Sequence, residues 1–306
     1  MAFEGTGGGM TANEASLREL EPGVVTSYYN DLTAKLLDKY GPGPDIHYHL
    51  GLYEDGKAPV HSAEASPEEI RASIVQGQRR HLDRAAQIWN AKERFTGSVL
   101  DVGCGLGGGS IFWARTFGAD VTAVTFAEAH PPLISEFARV AGCEEKVRIV
   151  VSDACEIPAD EVFDTVVAIE STCCFPLEPW FRNLARLLKP GGSVCVEDVM
   201  PLRPHGAPVW SDYYYTRPHT LQEYADAAHA AGFELVDDVD ITAQAAPFWQ
   251  ESIAWTRAKL SPRWGADLDI VERRRLRISL AVHHDLLREW QSGGMWQAFL
   301  RFERRG

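Results

Sequence analysis

Residues Val99–Ser110 read VLDVGCGLGGGS: an apolar run, one acid at Asp101, then glycines at alternate positions, Gly103, Gly105 and Gly107. Glycine lets a backbone turn sharply and lets a ligand approach the main chain closely. A helix beginning just beyond such a turn offers free N–H groups to that ligand. The spacing D-x-G-x-G-x-G differs from the G-x-G-x-x-G of a dinucleotide site, and the next apolar run ends in Thr125 instead of an acid. A second candidate is Glu170, which closes the apolar run TVVAI. A carboxylate at the end of a buried strand, on the side where the glycine turn holds its ligand, is placed to take a proton. The same position also suits a solvated strand end or a helix-cap partner. Aromatic residues crowd three more stretches, IHYHLGLYEDG, HGAPVWSDYYYTRPH and APFWQESIAW. His47 and His49 lack a third histidine or acid at ligand spacing, so no protein-built transition-metal site is expected.

These groups need a frame to hold them. From residue 98 the chain alternates strand and helix patterns: SVLDVG, DVTAVTF, VRIVVSD, FDTVVAIES, GSVCVEDVM, FELVDDVDIT and WQAFLRFER read as strands. Most of the early ones are short apolar runs, as in a parallel sheet covered on both faces. The fold expected is α/β and Rossmann-like, with a mostly parallel seven-stranded sheet. SPEEIRASIVQGQRRHLDRAAQIWN reads as a long helix with Ser66 as N-cap, Pro67 in its first turn and Glu69 completing a capping box. PWFRNLARLLKPGG reads as a helix ended by Pro190-Gly191, and TLQEYADAAHAAGF as one ended by Gly232. SYYNDLTAKLLDKY is a helix stopped by Gly41 to Pro44. We expect a disordered N-terminus over 1–20, lid segments over 21–65, and a core over 66–306 with lid insertions at about 201–219 and 246–294. Loops at the carboxyl ends of strands are where open α/β sheets bind ligands.

Composition limits the partners. The 306 residues carry 30 basic and 43 acidic side chains, a net charge of −13. That argues against nucleic acid or an anionic membrane as partner. Six cysteines show no C-x-x-C spacing and read as reduced thiols of a cytoplasmic protein. With no 18-residue apolar run and no signal pattern, a soluble, unexported chain is expected.

VLDVGCGLGG, VTAVTFAEAH, VRIVVSDACEIP, FDTVVAIES and LLKPGGSV, in that order, resemble the class I S-adenosylmethionine-dependent methyltransferases. The resemblance implies that Asp101, Gly103, Cys104 and Gly105 lie at the amino-acid end of the cofactor. It puts Thr125 where a ribose-binding acid usually stands, Phe126 on the adenine, Asp153 and Ala154 at the adenine edge, and His130 beside them. YYNDL and HYHLGLYED resemble lid segments of small-molecule C-methyltransferases, which puts Tyr29, Tyr48 and His49 around the methyl-transfer chamber. AIEST, HGAPVW, DITAQAAPFW and IHYHLG are similar to the geranyl diphosphate C-methyltransferases, over roughly residues 25–306. The enzymes that methylate C6, of the benzastatin-pathway type, are the nearest in pattern. The 2-C-methyltransferases carry an amide-rich run before Glu-Ser-Thr, where this chain has Ala168-Ile169.

Methylating an alkene requires no base to activate the nucleophile, because the π bond itself attacks the sulfonium methyl. The resulting tertiary cation must be stabilised and must lose one proton. Aromatic faces do the first, contributing about 0.5–2 kcal/mol each; a carboxylate does the second. Glu170 is the expected base and Trp210 the leading cation-stabilising ring, with Tyr48, Tyr53, Tyr213, Tyr214 and Trp249 as further candidates. Arg203, His205, Arg217 and His219 are candidates to hold the diphosphate, with Mg²⁺ bound largely by phosphate oxygens and water. The partner expected is a small prenyl diphosphate, the assembly a homo-oligomer, dimer or hexamer. The alternatives are methylation at C2, a prenylated or aromatic acceptor with His49 as base, and a ligand-binding protein with an inactive methyltransferase fold.

Overall fold

A computed structural model describes residues 32–158, 162–203 and 205–305. Tyr29 and the segment 1–20 lie outside the described residues. The sheet has seven strands in the order β3-β2-β1-β4-β5-β7-β6. They are β1 (Ser98–Val102), β2 (Asp120–Thr125), β3 (Val147–Val151), β4 (Phe163–Ile169), β5 (Leu188–Pro201), β6 (Phe233–Asp240) and β7 (Met295–Arg304). The first five pair in parallel, and β7 runs antiparallel between β5 and β6.

The two-residue strand period divides the apolar residues between two cores. Val99, Val121, Val167, Cys195 and Phe299 face one side; Leu100, Val124, Val166, Val194 and Leu300 face the other. Helices α1 (32–40), α2 (Pro67–Ile88) and α3 (Gly108–Phe117) contribute to the first core. On the second face lie α5 (Leu177–Leu187) and α7 (Leu221–Ala230), while α4 (Pro131–Val140) covers the β2–β3 edge. The expected capping box of α2 is present: Ser66 Oγ accepts from Glu69 N at 3.1 Å, and Ser66 N donates to Glu69 Oε2 at 2.6 Å. Helix α7 has a second one, Thr220 with Glu223.

One boundary differs from expectation. Helix α5 stops at Leu187 and the chain enters β5 at once, because Leu188 already pairs with Phe163. Pairing resumes at Ser193 opposite Thr165, so Lys189–Gly192 form a bulge inside the strand and Pro190-Gly191 do not end the helix.

The insertions are packed. Residues 201–219 contain α6 (Pro208–Tyr214); residues 246–294 fold as α8 (Pro247–Leu260) and α9 (Ile270–Gln291). Trp210, Trp249 and Trp290 join them in one aromatic cluster, with ring centroids 5.3–6.0 Å apart. Residues 46–53 are fixed to α2: Gln78 Nε2 donates to the carbonyls of His47 (3.0 Å) and His49 (2.8 Å), and Leu52 N donates to Gly77 O (3.0 Å). This segment is a buried wall, with Leu50, Leu52 and Tyr53 in the main core.

Candidate active site

A cavity of about 1370 Å³ opens where β1, β2 and β4 end. Its floor is the glycine turn. Gly103 N and Cys104 N both donate to Val124 O at 2.9 Å, tying the turn to β2. Gly103 has φ +76°, and a Cβ there would sit 2.4 Å from Ser171 Cβ, so no other residue fits. Gly105 has φ +54° with nothing within 4 Å of a Cβ position, because it faces the cavity. Asp101 is buried below the turn and accepts from Ser110 Oγ at 2.6 Å; burial pushes its pKa up to about 6. Burial and the nearby Asp101 hold the Cys104 thiol well above its ordinary range.

The adjoining wall takes up Thr125, Phe126, His130, Asp153 and Ala154. Thr125 Oγ1 accepts from Ala127 N at 3.2 Å and lies 3.3 Å from His130 Nδ1; His130 Nε2 lies 3.2 Å from Thr33 Oγ1 on α1. Asp153 Oδ1 accepts from Cys155 N at 2.7 Å, which fixes the loop after β3. A glycine turn open to the cavity, an aromatic face at Phe126 and polar groups on both sides fit a nucleoside with an amino-acid tail.

Opposite lies Glu170. It is held in the left-handed backbone region, φ +44°, by Glu170 N donating to Glu197 O at 2.8 Å. A non-glycine residue there costs about 1–3 kcal/mol, and such strain gathers at functional sites. Leu50 N donates to Glu170 Oε1 at 2.6 Å and Gln297 Nε2 donates to the same oxygen at 3.1 Å. Among the described residues no donor reaches Oε2. Burial, then the neighbouring Glu197 carboxyl, raise the Glu170 pKa well above the usual carboxylate range; the Leu50 N–H counteracts this.

Tyr48 and His49 line the same chamber. His49 Nδ1–H donates to Leu50 O at 2.8 Å, Nε2 has no partner among the described residues, and burial holds its pKa well below normal. His49 is therefore a poor base. At the mouth stand His205, Arg217 and His219. His219 is neutral: burial and Arg217 lower its pKa to about 4, its Nε2–H donates to Phe175 O (3.1 Å), and its Nδ1 accepts from Arg217 Nη1 (3.2 Å). Arg217 also binds Glu223 at 2.6 Å, so His219 and Glu223 aim one guanidinium.

Six sequence candidates are not on the cavity, among them Tyr213, whose hydroxyl donates to Ser279 Oγ at 3.0 Å. Trp210, within α6, is buried off the cavity, its Nε1 donating to Thr216 Oγ1 at 3.0 Å and its ring against Tyr214, Trp249 and Trp290. Trp249 is enclosed in the same cluster, and Tyr214 packs on Trp210 and Tyr213. Tyr53 is buried under Arg80, 5.4 Å from its ring, and Arg203 is exposed away from the cavity. An aromatic-rich segment alternates wall and backing, and sequence did not distinguish the two. The aromatic faces that do line the chamber include Tyr215, Phe175 and Trp113, which sequence did not single out. Tyr215, φ +53°, follows Tyr213 and Tyr214, and the run YYY was the one signal available. Among the described residues no three His, Cys, Asp or Glu side chains are grouped to hold a metal ion.

A methyltransferase domain matches residues 99–192. The chain is 28% identical to a probable chloroplastic tocopherol O-methyltransferase of Oryza sativa subsp. japonica over 66% of this chain and 58% of that one. It is 27% identical to the 24-methylenesterol C-methyltransferase 2 of the same plant over 82% of this chain and 65% of that one. The chain thus spans about three fifths of these relatives. A geranyl diphosphate C-methyltransferase from Streptomyces coelicolor A3(2), solved with Mg²⁺, geranyl diphosphate and S-adenosyl-L-homocysteine, superposes with a TM-score of 0.70 at 19% identity, over 92% of this chain and 97% of that one. No described helix is long and apolar enough to cross a membrane. The strand order with its antiparallel β7, together with the methyltransferase domain matched across the glycine turn and the likeness to that structure, gives the chain the α/β, Rossmann-like methyltransferase fold.

Proposed function

We propose that this chain methylates an alkene carbon of geranyl diphosphate, C6 favoured, with Glu170 as the base. The observation that carries the reading is one carboxylate oxygen, Glu170 Oε2, to which no described residue donates, at a cavity that also presents the aromatic side chains of Tyr48, Phe175 and Tyr215. The likeness to the solved geranyl diphosphate C-methyltransferase supports it.

S-adenosylmethionine supplies a methyl group on a sulfonium. The alkene π pair bonds that carbon, the old S–C pair stays on sulfur, and a tertiary cation is left on the prenyl chain. Tyr48, Phe175 and Tyr215 offer the aromatic faces on this cavity. Glu170 Oε2 then takes a proton from a carbon beside the cation, and the C–H pair becomes the new double bond. The thiols at the chamber are held protonated, Cys104 by burial and Cys173 by its hydrogen bond with Cys174 and by burial, and burial makes His49 a weak base. Arg217, aimed by His219 and Glu223, is the cation placed for diphosphate. Mg²⁺ would take its oxygens mainly from the diphosphate and water.

The test is transfer of a labelled methyl group to geranyl diphosphate, set against C-unsubstituted phenols and amines as acceptors. Label is expected in the prenyl diphosphate, and at least about a hundredfold more slowly from Glu170→Gln. Label in a phenol, with none in the prenyl diphosphate, favours the aromatic-acceptor reading. The low basicity of His49 counts against that reading.

A further inference from the structure

Strand β5 reads VCVEDVM, two acids inside an apolar run, and β7 places Gln297 opposite Val199. Glu197, Asp198 and Gln297 are all fully buried. Buried acids and amides are retained only with partners. Gln297 Nε2 donates to Glu197 Oε1 at 2.8 Å and to Glu170 Oε1 at 3.1 Å. Both partners are carboxyl oxygens, so the amide must turn its NH₂, and not its C=O, toward them. Leu50 N adds a second donor to the same Glu170 oxygen at 2.6 Å. On the far side of Glu197, His81 Nε2 lies 3.2 Å from Oε2.

We propose that Gln297 is the positioning residue of the base: by bridging Glu170 and Glu197 it saturates Glu170 Oε1 and presents Oε2 to the cavity as the proton-accepting atom. This rests on Glu170 acting as the base.

Two carboxyls joined by one amide resist ionising together. The groups facing Glu170 act in opposite directions. Glu197 and Asp198 from β5 disfavour its charge, while Gln297 from β7 and the Leu50 N–H favour it. Cys173, in Glu170's own turn, stays a neutral thiol, and His81, beyond Glu197, is held neutral by burial. Deleting the donor and deleting the neighbouring acid must therefore move the titration of Glu170 in opposite senses. A side chain that merely filled space would produce no such pair of shifts.

The experiment compares the parent with Gln297→Met and Glu197→Gln, each with S-adenosylhomocysteine bound. The Glu170 carboxyl is titrated by difference infrared spectroscopy, its band assigned by loss in Glu170→Gln. In parallel, kcat and KM are measured against pH with geranyl diphosphate. Gln297→Met should move the midpoint and the acid limb of kcat to higher pH and lower kcat roughly tenfold or more, with both KM values within about threefold. Glu197→Gln, whose amide oxygen still accepts from Gln297, should move both to lower pH. If Gln297→Met does not fold, Gln297→Leu, which also deletes the donor, takes its place and must show the same upward shift. A midpoint that stays put in the folded variants, or moves the same way in both, overturns the proposal. If the parent transfers no methyl to geranyl diphosphate, the reading of the acceptor fails, while the infrared titration still decides whether the clamp exists.

Discussion

The two ends of the cavity are built differently. The cofactor end is local: the glycine turn, Asp101, Thr125, Phe126 and Asp153 each sit at or just beyond the end of one of three neighbouring parallel strands. Its working groups are backbone N–H groups and short side chains whose positions follow from the strand that carries them. The acceptor end is assembled from far apart. Glu170 meets Leu50 across 120 positions and Gln297 across 127, and its wall draws on residues 46–49 and 205–219. The first kind of site tolerates changes of neighbour and fails when a backbone angle is denied. The second keeps its backbone and fails when one partner is removed.

The largest expected effect lies at the acceptor end. Glu170→Gln keeps shape but removes basicity, and kcat should fall by about 10²–10⁴ with cofactor affinity unchanged. Activity within threefold of the parent would remove Glu170 from the mechanism. In the parent, the carboxylate is the working form, and Glu170 is raised by burial and Glu197. The rate should therefore climb as pH rises, with its acid limb above the ordinary carboxylate range. A limb at or below pH 4.5, the group's ordinary value, contradicts the assigned environment.

The converse break is Gly103→Ala. A Cβ at 2.4 Å from Ser171 together with φ +76° forces the turn open. Cofactor affinity by calorimetry should fall by at least about tenfold, equivalent to about 1.4 kcal/mol. Equal affinity in a folded variant contradicts the floor assigned here.

Removing divalent cation tests the mouth. EDTA should abolish turnover while leaving cofactor binding intact, since the charge it would leave exposed is on phosphate. Full activity in EDTA assigns the diphosphate to Arg217 and its supports alone.

The smallest effect is expected at Trp210, now a backing residue. Trp210→Phe and Trp210→Leu should give similar kcat values, near the parent, because neither ring nor chain faces the cation. Trp210→Ala leaves a large void and costs about 3–5 kcal/mol of stability, read by thermal melting. With Ser211 and Thr216 at the cavity, that void adjoins the acceptor chamber, and farnesyl diphosphate turnover should rise relative to geranyl. Phe well above Leu in kcat would return Trp210 to the cation.

The same contrast explains what the sequence made legible. The seven strands and the turn after β1 were readable because apolar runs and glycine spacing act within a few residues. Ser66 and Glu69, three apart, gave the α2 boundary for the same reason. Trp210 and Trp249 were assigned to the cavity because a tryptophan has the same chemistry in a wall and behind it. Gln297 carried a weak signal, one amide within MWQAFLRFER, and Glu197-Asp198 a stronger one, two acids in a buried strand. Neither signal says which partner is met, because that depends on β7 pairing with β5 across about a hundred residues.

The most direct measurement is carbon NMR of the product formed from geranyl diphosphate and S-adenosylmethionine labelled with ¹³C in its methyl group. The account predicts that the labelled carbon is bonded to C6 of an intact prenyl diphosphate. A label on C2, on a heteroatom, or on no carbon of the prenyl chain contradicts it.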